Sequence, residues 1–334
     1  MCLWFEQTFA VATLVETEGS MSETDPFLYA HHYGAREDHF RLIEGDDEAR
    51  LSIVSDEVFI DTDMTVGEHN EATLALRERA IQNGMEFIVA CEADVVDVTR
   101  RMAYHIMDNE FDEKVAAVRE GREYVPPAFV SLMNGANPWM ATLGRELNKL
   151  GYEHYLGPFE PVSINLSRFG KSQTGSLEVE VKKHLTEEDA EAIAGRRLIL
   201  LDDLVDEGYT LEATKVYLNQ RMRQLGHEVP PDMQTAVLGS KNIELVTPDY
   251  VGMKLPVVWV AGWGCDSQGY FRYCDLIGVT SYQDPAKKEH MEELIERRRR
   301  REAGDPDVQP APAGSLINVD FTLVDSDGNV LSAA

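Results

Sequence analysis

The sequence predicts an α/β fold, in which helices flank a mostly parallel, twisted sheet. An apolar run over 198–201 shows no alternation, which is typical of a strand buried on both faces. Acids close this strand, and a further acid and a glycine occupy the turn that follows: Asp202, Asp203, Asp206 and Gly208. Apolar residues then recur at helical spacing from Leu211 onward, so a strand, a turn and a helix follow one another.

Further strand and helix patterns alternate along the same part of the chain. Apolar runs predict strands at 86–91, 128–133, 161–166 and 233–238, and periodicity predicts helices over 95–107 and 139–150. This alternation is typical of a parallel sheet whose ligand lies at the carboxyl ends of its strands. We expect a small hood beside that edge.

Three regions are predicted. Residues 1–85 form an unassigned N-terminal extension, with short strands at 40–43, 51–54 and 58–60 and a helix over 68–82. Residues 1–20 could be a start-site artefact, because Met21 is a plausible alternative start. The main domain spans 86–282. Region 283–334 contains a charged helix over 284–301, a linker over 303–314 and a hairpin turned at 325–328. The arginines at its helix end favour a solvated helix terminus over an RNA-binding arm.

Composition narrows the class of protein. The 334 residues carry 59 acids against 31 lysines and arginines, a formal net charge of −28, which argues against nucleic acid or an anionic membrane as partner of the whole molecule. A saline cytoplasm and lineage bias both remain open as reasons. The four cysteines lack zinc spacing, no apolar stretch could span a bilayer, and the start is a poor signal peptide, so we expect a cytoplasmic protein. Adjacent His31 and His32 point apart in regular structure and are a weak metal site.

The turn after 198–201 predicts an anion-binding site. A turn and a helix N-terminus offer backbone N–H groups and a favourable dipole. The neighbouring carboxylates suit the hydroxyls of a sugar and a hard cation. A phosphorylated sugar with Mg²⁺ would suit both the anion-binding turn and the carboxylates. An ordinary βα turn, with Asp206 capping the helix, remains the alternative.

The segment Leu201–Thr210 resembles the phosphoribosyl-pyrophosphate motif of type I phosphoribosyltransferases, closest to the hypoxanthine-guanine branch. The resemblance implies that Asp202 and Asp203 hold the ribose hydroxyls, and that Asp206 faces the purine as general base. It assigns the 5'-phosphate to the following turn: Glu207, Gly208, Tyr209 and Thr210. Glu207 departs from the pattern, since many members carry Thr or Ser there. We expect it to point outward while backbone amides bind the phosphate.

Two loops extend the resemblance. Met133, Asn134 and Gly135 resemble the pyrophosphate loop, for which a strained or cis Met133–Asn134 peptide is implied by analogy; Asn134 replaces the Lys of some members. Arg168 and Phe169 stand where the family has a mobile lid over the active site, within a polar segment over 167–176. A plain βα turn and a hairpin loop are the respective alternatives.

The block 257–272 resembles the purine-binding end of the family without a gap. By that resemblance Lys241 meets the purine's exocyclic oxygen, Trp259 stacks on the ring and Val260 bonds the base edge through its backbone. Asp266 binds Mg²⁺, together with the two ribose acids, and Arg272 reaches pyrophosphate. A core role for Trp259 and a surface ion pair for Arg272 remain open as alternatives.

The resemblance therefore implies a type I phosphoribosyltransferase fold and a purine salvage transferase. It would move phosphoribosyl from 5-phosphoribosyl 1-pyrophosphate to hypoxanthine or guanine, with Mg²⁺ as cofactor and small molecules as its partners. A xanthine-preferring enzyme and a non-catalytic, ligand-sensing regulator on the same fold are the alternatives. We expect a homodimer or homotetramer.

Overall fold

The computed structural model describes residues 85–171, 177–230, 232–255, 257–267, 270–280, 288–315, 321–325, 327 and 329–333. The strands and helix expected between residues 40 and 82, and the two adjacent histidines, lie outside the described residues. The division of the chain into three regions stays a prediction.

The described elements alternate between strands and helices for most of the chain. The strands are β1 (Met85–Cys91), β2 (Ala128–Leu132), β3 (Val162–Lys171), β4 (Leu177–Lys183), β5 (Leu198–Val205), β6 (Met233–Ser240), β7 (Tyr250–Lys254), β8 (Val260–Ala261), β9 (Leu276–Thr280), β10 (Phe321–Val324) and β11 (Val330–Ala333). The helices are α1 (Glu92–Arg119), α2 (Ala136–Lys149), α3 (Tyr152–Tyr155), α4 (Glu187–Ile193), α5 (Tyr209–Gln224) and α6 (Lys288–Glu302).

A large sheet organises the molecule, with strand order β11-β10-β4-β3-β2-β5-β6-β7. The five consecutive strands β3, β2, β5, β6 and β7 pair in parallel, whereas β4 runs antiparallel to β3. Parallel strands place their carboxyl ends at one edge, where the loops after β2, β5 and β6 therefore meet. The predicted α/β fold with a mostly parallel sheet is confirmed.

Strand β5 is buried on both faces, as its lack of alternation indicates. Ile199 and Leu201 pack into a core cluster with residues of α1 and α2. Leu198 and Leu200 belong to the cluster on the opposite face, which includes residues of α4 and α5. Helices therefore cover both sides of the sheet, and β5 is the middle one of its five consecutive parallel strands.

Two predicted element ends differ from the structure. β5 continues past the acids to Val205, because Asp202, Leu204 and Val205 still pair with β6. The helix expected to end at residue 107 continues to Arg119 through a charged stretch. Its polar residues are not all solvated, since Glu110 is buried and accepts hydrogen bonds of 3.0 and 2.7 Å from the guanidinium of Arg197.

A small sheet, with strand order β1-β9-β8, lies beside the carboxyl edge of the large sheet and corresponds to the expected hood. β8 has two residues, and its Val260 pairs with Val279 of β9. The loop after β8 touches the loop after β2, since a side chain at Gly264 would collide with the carbonyl oxygen of Gly135. The small sheet therefore closes one side of the edge that holds the predicted ligand.

The region after residue 283 is attached to the domain more closely than the sequence indicates. The predicted hairpin is confirmed as β10 and β11, and β10 adds in parallel to β4. The expected linker contains a short 3₁₀ helix, Pro306–Val308, and Ala311 exchanges backbone hydrogen bonds with Leu245 and Thr247. None of the helices in the described ranges has the length and apolar composition that a bilayer crossing requires.

The expected solvated end of the arginine-rich helix is wrong for part of the run. Arg298 and Arg301 of α6 are buried, whereas Arg299 and Arg300 are exposed. Arg298 donates to the carbonyl of Leu255 at 2.8 Å. Arg301 donates to the carbonyl of Glu244 at 2.7 Å and of Val308 at 3.0 Å. The buried arginines satisfy carbonyls that the loops after β6 and β7 leave without strand partners, so α6 is docked rather than free.

Candidate active site

The turn between β5 and α5 lies at the carboxyl edge of the sheet, as predicted. It spans 206–208, and α5 begins at Tyr209. Gly208 has a φ of +88°, a left-handed conformation that a side chain disfavours. The first amides of α5 have no partner within the helix, so they and the helix dipole favour an anion at this point. Asp206 does not cap the helix. The N-cap residue is Gly208, and no side-chain hydrogen bond caps the helix there.

Two half-buried carboxyls precede the turn. Asp202 accepts a hydrogen bond from the backbone N–H of Asp203 at 3.0 Å. Burial, followed by the charge of Asp203, raises the pKa of Asp202 well above its usual value. Burial also raises the pKa of Asp203, although hydrogen bonds and the charge of Arg272 oppose this rise. A bound cation would stabilise the ionised forms of these two carboxyls.

The loop after β2 packs directly on these acids. The Met133–Asn134 peptide is cis, which confirms the expectation from the resemblance. A side chain at Gly135 would lie 2.6 Å from Cγ of Asp203, and one at Gly264 would lie 2.9 Å from Cβ of the same residue. Glycines at both positions let the loops after β2 and β8 approach the Asp203 side chain at the end of β5.

Arg272 joins the loop after β8 to this group. It donates to the carbonyl of Gly264 at 2.6 Å and forms an ion pair with the carboxylate of Asp266. A surface pocket of about 510 Å³ is lined by Asn134, Phe271, Arg272, Tyr273 and Cys274. The two segments assigned to pyrophosphate by resemblance therefore line one pocket. Arg272 does form an ion pair, as the alternative held, but its partner is the predicted magnesium ligand.

Lys241 and Asp206 form an ion pair that the sequence did not predict. Their Nζ and Oδ1 atoms are 2.6 Å apart. The Lys241 side chain is 6% exposed and that of Asp206 is 51% exposed. The backbone N–H of Lys241 also donates to the carbonyl of Val205 at 3.2 Å, which ties the loop after β6 to the end of β5. The residues assigned separately to a purine's oxygen and to its N7 proton lie side by side.

Trp259 is not a core residue. It is 37% exposed, so the alternative of a core aromatic is wrong. Its indole N–H donates to the carbonyl of Asp266 at 3.0 Å, and its own carbonyl accepts from the backbone of Thr280 at 3.1 Å. The first bond orients the indole, and the second holds the backbone of Trp259 against β9. Val260 follows it and is buried.

Glu207 does not point outward as expected. It is 5% exposed, and its Oε1 accepts a hydrogen bond from Nη1 of Arg297 at 3.1 Å. A carboxylate inside a protein needs a partner, and α6 provides one here. The expectation failed because the partner lies 90 residues further along the chain.

Several known proteins similar to this chain have related names. A hypoxanthine phosphoribosyltransferase of Haemophilus influenzae is 28% identical over 152 residues, which are 45% of this chain and 74% of that protein. A hypoxanthine-guanine phosphoribosyltransferase of Lactococcus lactis is 23% identical over 202 residues, 60% of this chain and 94% of that protein. The resemblance to the hypoxanthine-guanine phosphoribosyltransferases is confirmed.

Two further matches differ widely in the share of the other protein that they cover. The bifunctional protein TilS/HprT of Listeria monocytogenes is 27% identical over 180 residues, and the match spans only 25% of its length. A solved Trypanosoma cruzi hypoxanthine phosphoribosyltransferase is 22% identical, with a TM-score of 0.45, and the match covers 62% of this chain and 97% of that one. No protein-family model matches the chain.

The remaining residues of the phosphoribosyltransferase motifs lie on regular elements. Tyr209 and Thr210 are half-buried in the first turn of α5, where the Thr210 carbonyl accepts a bond from the Thr214 hydroxyl at 2.8 Å. Arg168 and Phe169 lie on β3, paired with Val179 and Glu178 of β4. Residues 172–176 of the expected lid segment lie outside the described residues. The role of these two residues as a lid stays a prediction.

Arg297 is the residue near the phosphoribosyl motif that sequence reasoning missed. Its signal was present but indirect, because a Glu in a phosphate-binding turn requires a nearby cation. The apolar residues Leu294 and Ile295 form a cluster with Ile243 and Val257. These two apolar positions within a charged helix indicate which face of α6 packs against the domain.

Proposed function

We propose that the chain transfers the phosphoribosyl group of 5-phosphoribosyl 1-pyrophosphate to hypoxanthine or guanine, producing IMP or GMP and pyrophosphate. The observation that carries the proposal is the Lys241–Asp206 pair, at 2.6 Å, beside the turn after β5. A 6-oxopurine presents O6 and N7 next to each other on one edge. A lysine donor and a carboxylate acceptor at this separation complement that edge.

The end of β5 and the turn after it supply the contacts we propose for the sugar phosphate. Asp202 and Asp203 accept hydrogen bonds from the ribose hydroxyls, and the amides of the turn and of α5 bind the 5'-phosphate. The pocket between Asn134 and Arg272 receives pyrophosphate, for which the planar guanidinium of Arg272 is suited.

The residues present fit Mg²⁺. The described residues include no group of three His, Cys, Asp or Glu side chains placed to hold a metal alone. The raised pKa values of Asp202 and Asp203 nevertheless mark a site that favours added positive charge. Asp202, Asp203 and Asp266 are the carboxylates that would hold Mg²⁺, since hard cations prefer oxygen ligands. When bound, it neutralises charge that develops on the leaving pyrophosphate.

The chain's own residues would then move one proton and stabilise one leaving group. As the bond from C1' to pyrophosphate breaks, C1' gains oxocarbenium character, and N9 of the purine forms the new bond. Asp206 accepts the proton from N7, while Lys241 donates to O6. Trp259 stacks on the purine ring, and Val260 presents its backbone to the base edge.

Incubation with Mg²⁺, 5-phosphoribosyl 1-pyrophosphate and each purine tests the proposal. We expect IMP and GMP to form, and little AMP. Asp206→Asn should lower kcat about ten- to ten-thousand-fold, the usual range for loss of a general base. Absence of nucleotide with every base would refute the activity. Preferential use of xanthine in competition would change the substrate, and the homodimer or homotetramer we expect is tested by light scattering.

A further inference from the structure

The turn that would bind the 5'-phosphate contains a negative charge of its own. Glu207 lies between Asp206 and Gly208, and its side chain is buried. Its backbone carbonyl accepts a bond from the N–H of Leu245 at 3.0 Å, so the turn is held against the loop that begins at Lys241. An ionised carboxylate here opposes a phosphate unless a cation compensates it.

Arg297 of α6 is placed to compensate that charge. Its Nη1 lies 3.1 Å from Oε1 of Glu207 and donates at 3.4 Å to the carbonyl of Ile243. One guanidinium thus contacts the turn after β5 and the loop after β6. These two segments contain the residues assigned to the phosphate and to the purine.

Helix α6 is fixed independently of this contact. The buried Arg298 donates to Leu255, and the buried Arg301 donates to Glu244. Leu294 packs with Ile243 and Val257. Because these contacts anchor the helix, loss of the Arg297 side chain alone should leave α6 in place. The electrostatic effect of Arg297 can therefore be separated from the docking of the helix.

We propose that Arg297 is a positioning residue for phosphoribosyl binding, which acts by pairing with Glu207. The pair holds the Glu207 carboxylate away from the bound 5'-phosphate and neutralises it. The proposal rests on the proposed function, since it concerns the same site. It makes α6, which lies outside the segment that resembles the transferase family, a part of the active site.

Steady-state kinetics of Arg297→Gln tests this directly. We expect the KM for 5-phosphoribosyl 1-pyrophosphate to rise about tenfold or more, because the charge of Arg297 no longer compensates that of Glu207 beside the phosphate. The KM for hypoxanthine should change less than threefold. Arg299→Gln removes an exposed arginine of the same helix and should leave both constants unchanged.

A second change distinguishes pairing from a general loss of structure. In Glu207→Thr/Arg297→Gln the carboxylate is absent, so at least half of the loss in log KM should be recovered. Arg297→Lys keeps a charge and should be intermediate. An unchanged KM in Arg297→Gln, or equal changes in both KM values with no recovery in the double variant, would overturn the proposal.

Direct binding separates this inference from the proposed activity. Calorimetric titration with 5-phosphoribosyl 1-pyrophosphate and Mg²⁺ needs no turnover, so it remains informative if no purine is converted. Binding should weaken about tenfold in Arg297→Gln and recover in the double variant. If Arg297→Gln does not fold, the double variant must fold and bind the ligand, and its failure to do so would refute the proposal.

Discussion

At the scale of single residues, Lys241 and Asp206 each provide the opposite charge that the other side chain contacts. The Lys241 side chain is 6% exposed, so it needs a negative partner. If Asp206 serves as general base, its contact with Lys241 must break when the purine binds. The purine would replace this contact with two of its own, through O6 and N7. Substitution of either residue therefore changes both the binding of the base and the state of its neighbour.

Lys241→Ala tests which edge of the purine is bound. Lysine has donors and no acceptor, so it bonds the 6-oxo group and offers nothing to the 6-amino group of adenine. We expect the KM for hypoxanthine and guanine to rise about tenfold or more, which corresponds to an unmatched buried polar group. Trp259→Ala serves as the comparison, because lost stacking should raise the KM of both bases alike. Indifference of base binding to Lys241→Ala, or efficient formation of AMP, would show that the purine binds elsewhere.

Asp202 connects stability to pH. Since burial and Asp203 raise its pKa, the folded chain holds this proton more tightly than the unfolded chain does. Below the unfolded pKa of about 3.9, the contribution of this carboxyl to the free energy of unfolding is fully present. This contribution is lost as pH rises through the folded pKa, because the buried group must then ionise. Asp202→Asn cannot ionise, so it should melt at a higher temperature than wild type at pH 7.

Thermal melts without Mg²⁺ measure this effect. A gain of about 1 kcal/mol corresponds to about 2–4 °C for a domain of this size. The difference should shrink as pH is lowered toward 4, while phosphoribosyl transfer by the variant falls. The exposed Glu191→Gln is the control and should show no such dependence. A melting temperature for Asp202→Asn that stays below wild type at pH 7 would contradict the argument.

At the scale of elements, the site depends on glycines that let the loops after β2 and β8 approach the end of β5. Gly135 has an ordinary helical φ of −62°, so only space excludes a side chain there. In Gly135→Ala the new methyl would displace the carboxyl of Asp203. We expect the KM for 5-phosphoribosyl 1-pyrophosphate to rise about tenfold, with the KM for hypoxanthine less affected, in steady-state assays. Equal constants for variant and wild type would show that the two loops separate during turnover.

The elements also show what the sequence can and cannot predict. Strand β5 and its turn were predictable, because an unalternating apolar run and a glycine before a helix are local signals. The burial of Glu207 was not, since its partner Arg297 comes from a helix whose charge is typical of solvated surface. β7 and β9 were also missed: their short apolar stretches lie beside loops that were assigned by resemblance rather than by periodicity. Long-range pairs of charged residues leave no periodic pattern.

At the scale of the whole molecule, a net charge of −28 opposes the compact state through self-repulsion. Salt shortens the Debye length from about 10 Å at 0.1 M to about 3 Å at 1 M. We therefore expect the melting temperature to rise by several degrees over this range. Potassium chloride and choline chloride should act alike, because screening does not depend on the identity of the ion. A constant or falling melting temperature would show that the ion pairs outweigh the repulsion.

The pairing of β10 with β4 has a consequence for the order in which the chain folds. The two strands are separated by about 140 residues in the sequence, so their contact closes a very long loop. Domains begin to form while synthesis continues, N-terminal part first. On the ribosome, β4 must therefore stay an edge strand until residues 321–324 have emerged. During that interval the hairpin of β3 and β4 presents unpaired backbone groups, which are an opportunity for a chaperone and a risk of aggregation.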